Sequence, residues 1–333
     1  MGRPTRVALT LGSGGARGYA HIGVIQVLEE RGYEIVGVAG SSMGAVVGGL
    51  HAAGRLDAYT EWVRTLTQRD VLRLFDPVLR GPGAIRGEKI LAKVTDLLEG
   101  AVIEELPVPF TAVATDLLTG KEVWFQHGPV DTAIRASIAL PSFFTPVMLN
   151  GRLLADGGLL NPVPVAATAA SGADLVVAVS LSGGETASPG PDPVRESAEP
   201  GPVDEWFDRS RRALSDMLDS DLVRTVVGWL TTGRDSSSTG AGPTAVGQEE
   251  DRRGVFEELP AGLGTLDVMQ RSLEVVQGAI MRYRLAGYPP DVLITVPKHA
   301  CRTLDFHRAE ELVALGREQA ADALDRAGIS PQT

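Results

Sequence analysis

Two apolar runs near the start of the chain, "RVALTLG" at 6–12 and "EIVGVAG" at 34–40, each end at a glycine-rich corner that opens into a helical pattern. Short, near-continuous apolar runs read as strands buried on both faces. A corner of glycines and small residues lets the strand turn at once into a helix packed against it. Such strand–helix units constrain the chain to an α/β architecture with a mostly parallel sheet. Later segments extend the pattern. "FTAVATDL" and "EVWFQ" flank the turn "LTGK", "ADLVVAVSL" reads as another buried strand, and "PDVLITVP" precedes the last helical run, "FHRAEELVALGREQAADALDRAG".

A chain of 333 residues, 44% of them apolar, can bury one large domain and carry appendages. After Ser182 the strand–helix alternation stops. The stretch 183–202 holds five prolines and four glycines, and 231–254 is rich in Gly and Ser. Between them, 205–230 shows a stripe of Phe207, Leu214, Leu218, Leu222, Val226 and Trp229 at helical spacing. The reading is therefore one main domain from 5–182 and 255–328, interrupted by a 183–254 insertion of linkers around an amphipathic helix.

The net charge of −11 argues against a nucleic-acid partner and gives no attraction to anionic lipid. Any peripheral membrane contact would be mainly apolar. Cys301 is the single cysteine, so no intrachain disulfide forms. No apolar run approaches the roughly 18 residues of a membrane-spanning helix. The expected location is cytoplasmic.

At the second corner, Gly40-Ser41-Ser42-Met43-Gly44, only Ser42 has glycine two positions away on both sides. That is the pattern of a nucleophile elbow, in which a strained strand-to-helix turn presents a hydroxyl. The plainer alternative is that Ser42 caps the following helix. The first corner, "GSGGARG" (Gly12 to Gly18), exposes consecutive backbone N–H groups at a helix start, a setting for a phosphate or an oxyanion. It departs from the dinucleotide pattern G-x-G-x-x-G, because Arg17 stands at the third glycine and no acidic ribose ligand follows the second strand.

A serine needs a base. His21, His51, His127, His299 and His307 lie in no motif that hands one of them to Ser42. Asp156, after a short apolar run and before Gly157 and Gly158, is better placed. A buried aspartate with raised pKa can take the serine proton directly, although "DGG" is also a common turn.

Taken in order, "GSGGARG", "GSSMG" and "DGG" resemble the motifs of the patatin-like phospholipase family. "IRASIALPSFFTPV" (134–147) resembles a further block of that family, with Ser142 where many relatives have glycine. The resemblance spans about residues 5–182 and 255–328. It implies a three-layer α/β/α sandwich and a dyad of Ser42 and Asp156, with Gly40 and Gly44 shaping the elbow and Gly157 and Gly158 following the aspartate. It also implies an oxyanion loop of Gly12, Gly14, Gly15, Ala16, Arg17 and Gly18, with Gly14, Gly15 and neighbouring N–H groups as the donors and Arg17 helping to hold the loop. The implied activity is hydrolysis of carboxylic esters in phospholipids or lysophospholipids, with no metal and no cofactor. A regulatory protein that keeps this fold without turnover is the alternative.

Overall fold

A computed structural model describes residues 3–74, 83–85, 88–183 and 265–329. The linkers and the 205–230 helix read from the sequence lie outside the described residues. The chain divides into two units, residues 1–191 with 275–333, and residues 192–274. Of the second unit only 265–274, the first part of one helix, is described.

The strands are β1 (Arg6–Leu11), β2 (Glu34–Ser41), β3 (Gly83–Ile85), β4 (Phe110–Asp116), β5 (Lys121–Phe125), β6 (Ser142–Phe144), β7 (Val147–Leu149), β8 (Arg152–Asp156), β9 (Leu175–Gly183) and β10 (Val292–Pro297). The α-helices are α1 (Ala20–Glu30), α2 (Met43–Ala52), α3 (Leu56–Arg64), α4 (Gln68–Leu74), α5 (Glu88–Leu98), α6 (Val130–Ser137), α7 (Thr265–Gly287) and α8 (Ala309–Arg326). Strands β10, β9, β1, β2 and β4 run parallel in that order, while β5 and β8 pair antiparallel with β4, and β7 with β8. The short β3 and β6 form a separate parallel pair.

Both faces of the parallel strands are covered, which is why their sequences are apolar throughout rather than alternating. On one face Leu9, Leu11, Val38, Val177 and Val179 join α1, α2, α6 and α8 in one core. On the other face, among the described residues, Ala178 packs with Val163, Val165 and the α7 residues Met281 and Leu285. The fold is the three-layer α/β/α sandwich that the family resemblance implies.

The C-terminal helix belongs to the same core. A Cβ added at Gly316 in α8 would sit 2.0 Å from the Ala20 carbonyl oxygen, and one at Gly23 in α1 2.1 Å from that of Val313. The α1 and α8 backbones touch there, and only glycine allows it.

Candidate active site

The site forms where two strands meet end to end. Val113 of β4 pairs with Ser41 on one side and Trp124 on the other, and Ala114 pairs with Asp156 and Val123. Because β5 occupies one edge continuously, β2 and β8 share the opposite edge. They run toward each other, and their C-terminal ends abut at Val113 and Ala114. Ser42 and Asp156, separated by more than a hundred residues of chain, leave the sheet at this junction.

Ser42 follows β2 directly and opens α2 with φ 56° and ψ −124°. A non-glycine residue in this conformation stores roughly 1–3 kcal/mol of strain. Glycines make the corner sterically feasible. A Cβ at Gly40 would lie 2.3 Å from the Gly44 carbonyl, and one at Gly44 2.0 Å from the Leu11 carbonyl oxygen. Ser42 occupies the N-cap position of α2 but makes no capping hydrogen bond through its side chain. Its hydroxyl faces Asp156 instead, and the residue is 8% exposed.

Asp156 is fully buried at the end of β8. Its Oδ1 accepts the Gly158 N–H at 2.7 Å, whereas Oδ2 is buried with no hydrogen-bond partner among the described residues. Burial pushes the carboxyl from an ordinary 3.8 up to about 6, opposed by the Ser42 hydroxyl and the Gly158 N–H, which favour the ionised form. The hydroxyl thus lies close enough to act on the carboxylate without a bond of ordinary geometry to Oδ2. Resting pairs of this kind are often long and tighten on substrate. The two glycines after Asp156 are required by space. A Cβ at Gly157 would meet the Val113 carbonyl oxygen at 2.1 Å, and one at Gly158 would meet Ser13 Oγ at 2.4 Å.

The same contacts bring the first corner to this junction, since Gly44 abuts Leu11 and Gly158 abuts Ser13. A Cβ at Gly18 would lie 2.3 Å from that of Met43. Within the loop the N–H groups have different fates. Gly12 donates to Val179 O at 3.0 Å, Ser13 to Pro162 O at 2.9 Å and Ala16 to Thr303 O at 2.9 Å. The Gly14 and Gly15 N–H groups have no hydrogen-bond partner among the described residues. Arg17 acts as a strut: Nε donates to Leu181 O at 3.1 Å, and Nη1 to Lys298 O at 3.3 Å and Cys301 O at 3.0 Å. The loop is thereby tied to β9 and to the turn after β10. His21 lies fully buried behind it, its Nε2 2.8 Å from Gly12 O. Burial lowers the imidazole to about 4, so it is neutral at physiological pH.

Three further residues at the junction take roles that residue type and spacing do not assign. Ser41 donates its hydroxyl to Asn161 O at 2.7 Å, and the Asn161 N–H closes back on Gly157 O at 2.9 Å. The residue before Ser42 is thus hydrogen-bonded to the loop that carries Asp156. Asn161 Nδ2 donates to Glu122 Oε2 at 2.9 Å, and Glu122 also pairs with Arg284 of α7. Ser137 Oγ accepts the Ser42 N–H at 2.9 Å and donates to Val113 O at 2.6 Å. Only a partner far along the chain reveals such roles, so residue type and spacing do not announce them.

The fold is that of the patatin-like phospholipases, and the chain belongs to this family. Residues 9–169 match the family described as patatin-like phospholipase. The uncharacterized NTE family protein Rv1063c of Mycobacterium tuberculosis is 51% identical over 336 residues, 96% of this chain and 91% of that one. Patatin-like phospholipase domain-containing protein 6 of Homo sapiens is 33% identical over 184 residues, 53% of this chain and 13% of its own length. The crystal structure of VipD from Legionella pneumophila aligns with 98% of this chain and 67% of that one, at 15% identity and a TM-score of 0.42.

Proposed function

We propose that the protein is a serine acyl-hydrolase that cleaves carboxylic esters of phospholipids or lysophospholipids, with Ser42 as nucleophile and Asp156 as base. The observation that carries this reading is a fully buried carboxylate with a free oxygen, its pKa raised to about 6, beside a serine held at positive φ. Asp156 accepts the Ser42 proton as Oγ attacks the ester carbonyl, and the tetrahedral oxyanion is bound by the Gly14 and Gly15 N–H groups. Collapse expels the alcohol, which takes the proton from Asp156 and leaves an acyl-Ser42. Asp156 then deprotonates a water that attacks the acyl-enzyme, and the fatty acid departs with the proton returned to Ser42. The N–H groups of Gly12 and Ala16 are committed elsewhere, which narrows the oxyanion site to the middle of the loop.

Family membership supports a lipid substrate. The catalytic unit in this reading is 5–182 with 255–328, and the protein visits lipid surfaces from the cytoplasm. Treating the protein with a fluorophosphonate and mapping the adduct by peptide mass spectrometry tests the assignment. The expected adduct is on Ser42 and is lost in Asp156→Asn. An unlabelled Ser42 would leave the fold in a regulatory role.

A further inference from the structure

We infer that Ser137, the last residue of α6, is a positioning residue that holds Ser42 in its reactive conformation; the inference rests on the functional reading above. The first N–H groups of a helix have no partner within it, so the Ser42 N–H needs one from elsewhere. The strained backbone at Ser42 also persists only if its surroundings enforce it.

One side chain meets both needs. Ser137 Oγ accepts the Ser42 N–H at 2.9 Å and donates its own O–H to Val113 O at 2.6 Å. Val113 is the residue opposite Ser41, and its neighbour Ala114 lies opposite Asp156. The hydroxyl therefore ties the nucleophile's own peptide group to the point of β4 where the two strand ends abut. Ser137 is fully buried, so water cannot replace it cheaply. The same bond takes the Ser42 N–H out of use as an oxyanion donor, in agreement with a hole built from Gly14 and Gly15.

Without this hydroxyl the Ser42 N–H and the Val113 carbonyl each lose a hydrogen bond, and the turn at Ser42 can relax away from Asp156. Misplacement of a reacting group by about 1 Å costs up to ~100-fold in rate. The effect falls on the step in which Ser42 attacks, and substrate affinity is largely spared.

The experiment compares the full chain with Ser137→Ala and Ser137→Cys, the latter keeping the volume and a weak donor. Thr168→Val is the control, because it removes a different buried hydroxyl, bonded to Val165 O at 2.8 Å. For each protein the second-order rate of Ser42 labelling by a fluorophosphonate, kcat and KM on a soluble p-nitrophenyl ester, and the thermal melt are recorded. Ser137→Ala is expected to lower labelling and kcat by ~10- to 100-fold, with KM within about twofold. Ser137→Cys should fall between, and it carries the comparison if the alanine variant does not fold. Thr168→Val should keep parental kinetics at a comparable loss of stability. Parental kinetics in both folded Ser137 variants, or a rise in KM alone, overturns the inference and leaves the functional reading intact. A parent whose Ser42 is not labelled overturns both.

Discussion

Replacing Asp156 by Asn should abolish turnover and, above pH 6, make the protein more stable. The carboxyl is fully buried and titrates near 6 in the folded chain against an ordinary 3.8. An acid whose pKa is raised by folding binds its proton more tightly when folded. Its contribution to stability is therefore full below about pH 4 and is lost as pH rises through 6. At 1.36 kcal/mol per pH unit, the gap between the two values corresponds to ~3 kcal/mol of destabilisation at pH 8 relative to pH 4. Asn keeps an oxygen for the Gly158 N–H, has a similar shape and never ionises, so it escapes this cost. Urea unfolding of both proteins from pH 4 to 8 measures the difference. The asparagine variant should gain on the parent as pH rises, by ~3 kcal/mol in all, with the change centred between pH 4 and 6. A difference that does not vary with pH would refute the claim that burial sets this pKa. A variant that loses ground as pH rises would show that a cation, rather than the apolar surroundings, dominates at Asp156.

Hydrolysis of a soluble ester should rise with pH along an acid limb near 6, because only ionised Asp156 can accept the Ser42 proton; a pH profile of kcat/KM from 4 to 9 shows it. His21 stays neutral across that range above about 4, so the limb should survive in His21→Asn. Gly44→Ala places a methyl 2.0 Å from the Leu11 carbonyl oxygen and should cost ~3 kcal/mol or more, seen as loss of soluble folded protein. Gly54→Ala, at φ +67° with nothing within 4 Å, should cost only about 1 kcal/mol in the same unfolding assay. Arg17→Ala removes bonds to three carbonyls and should lower stability by about 2 kcal/mol and slow Ser42 labelling, with little rescue by lysine, whose ammonium lacks the planar fork.

Residue type and local spacing decide the features that depend on a few neighbouring positions. Glycine at 40 and 44 is needed because strand and helix backbones touch within the same corner, and apolar runs at 6–12 and 34–40 mark strands covered on both faces. For that reason the α/β class with its parallel sheet and the glycine-flanked corner at Ser42 follow from local spacing. The three-layer sandwich and the aspartate at 156–158 come only with the family resemblance, since "DGG" alone reads equally as a turn. The same locality hid the rest. The resemblance points to Gly14, Gly15 and neighbouring N–H groups of "GSGGARG" as donors, but which neighbours are already bonded is decided by partners at Val179, Pro162 and Thr303, which no spacing rule reaches. Spacing gives Ser41 no role, since only Ser42 has glycine two positions away on both sides, and it becomes a tether to Asn161 only once β2 and β8 are set on one edge of β4. Ser137 lies in the 134–147 segment that resembles a family block, but its bond to the Ser42 N–H exists only once α6 delivers it there. The sequence by itself determined which corners can carry chemistry, because backbone sterics are local. The tertiary structure alone decided which groups are free to perform it, because a hydrogen-bonding group is spent or spared by neighbours that only the assembled sheet brings within reach.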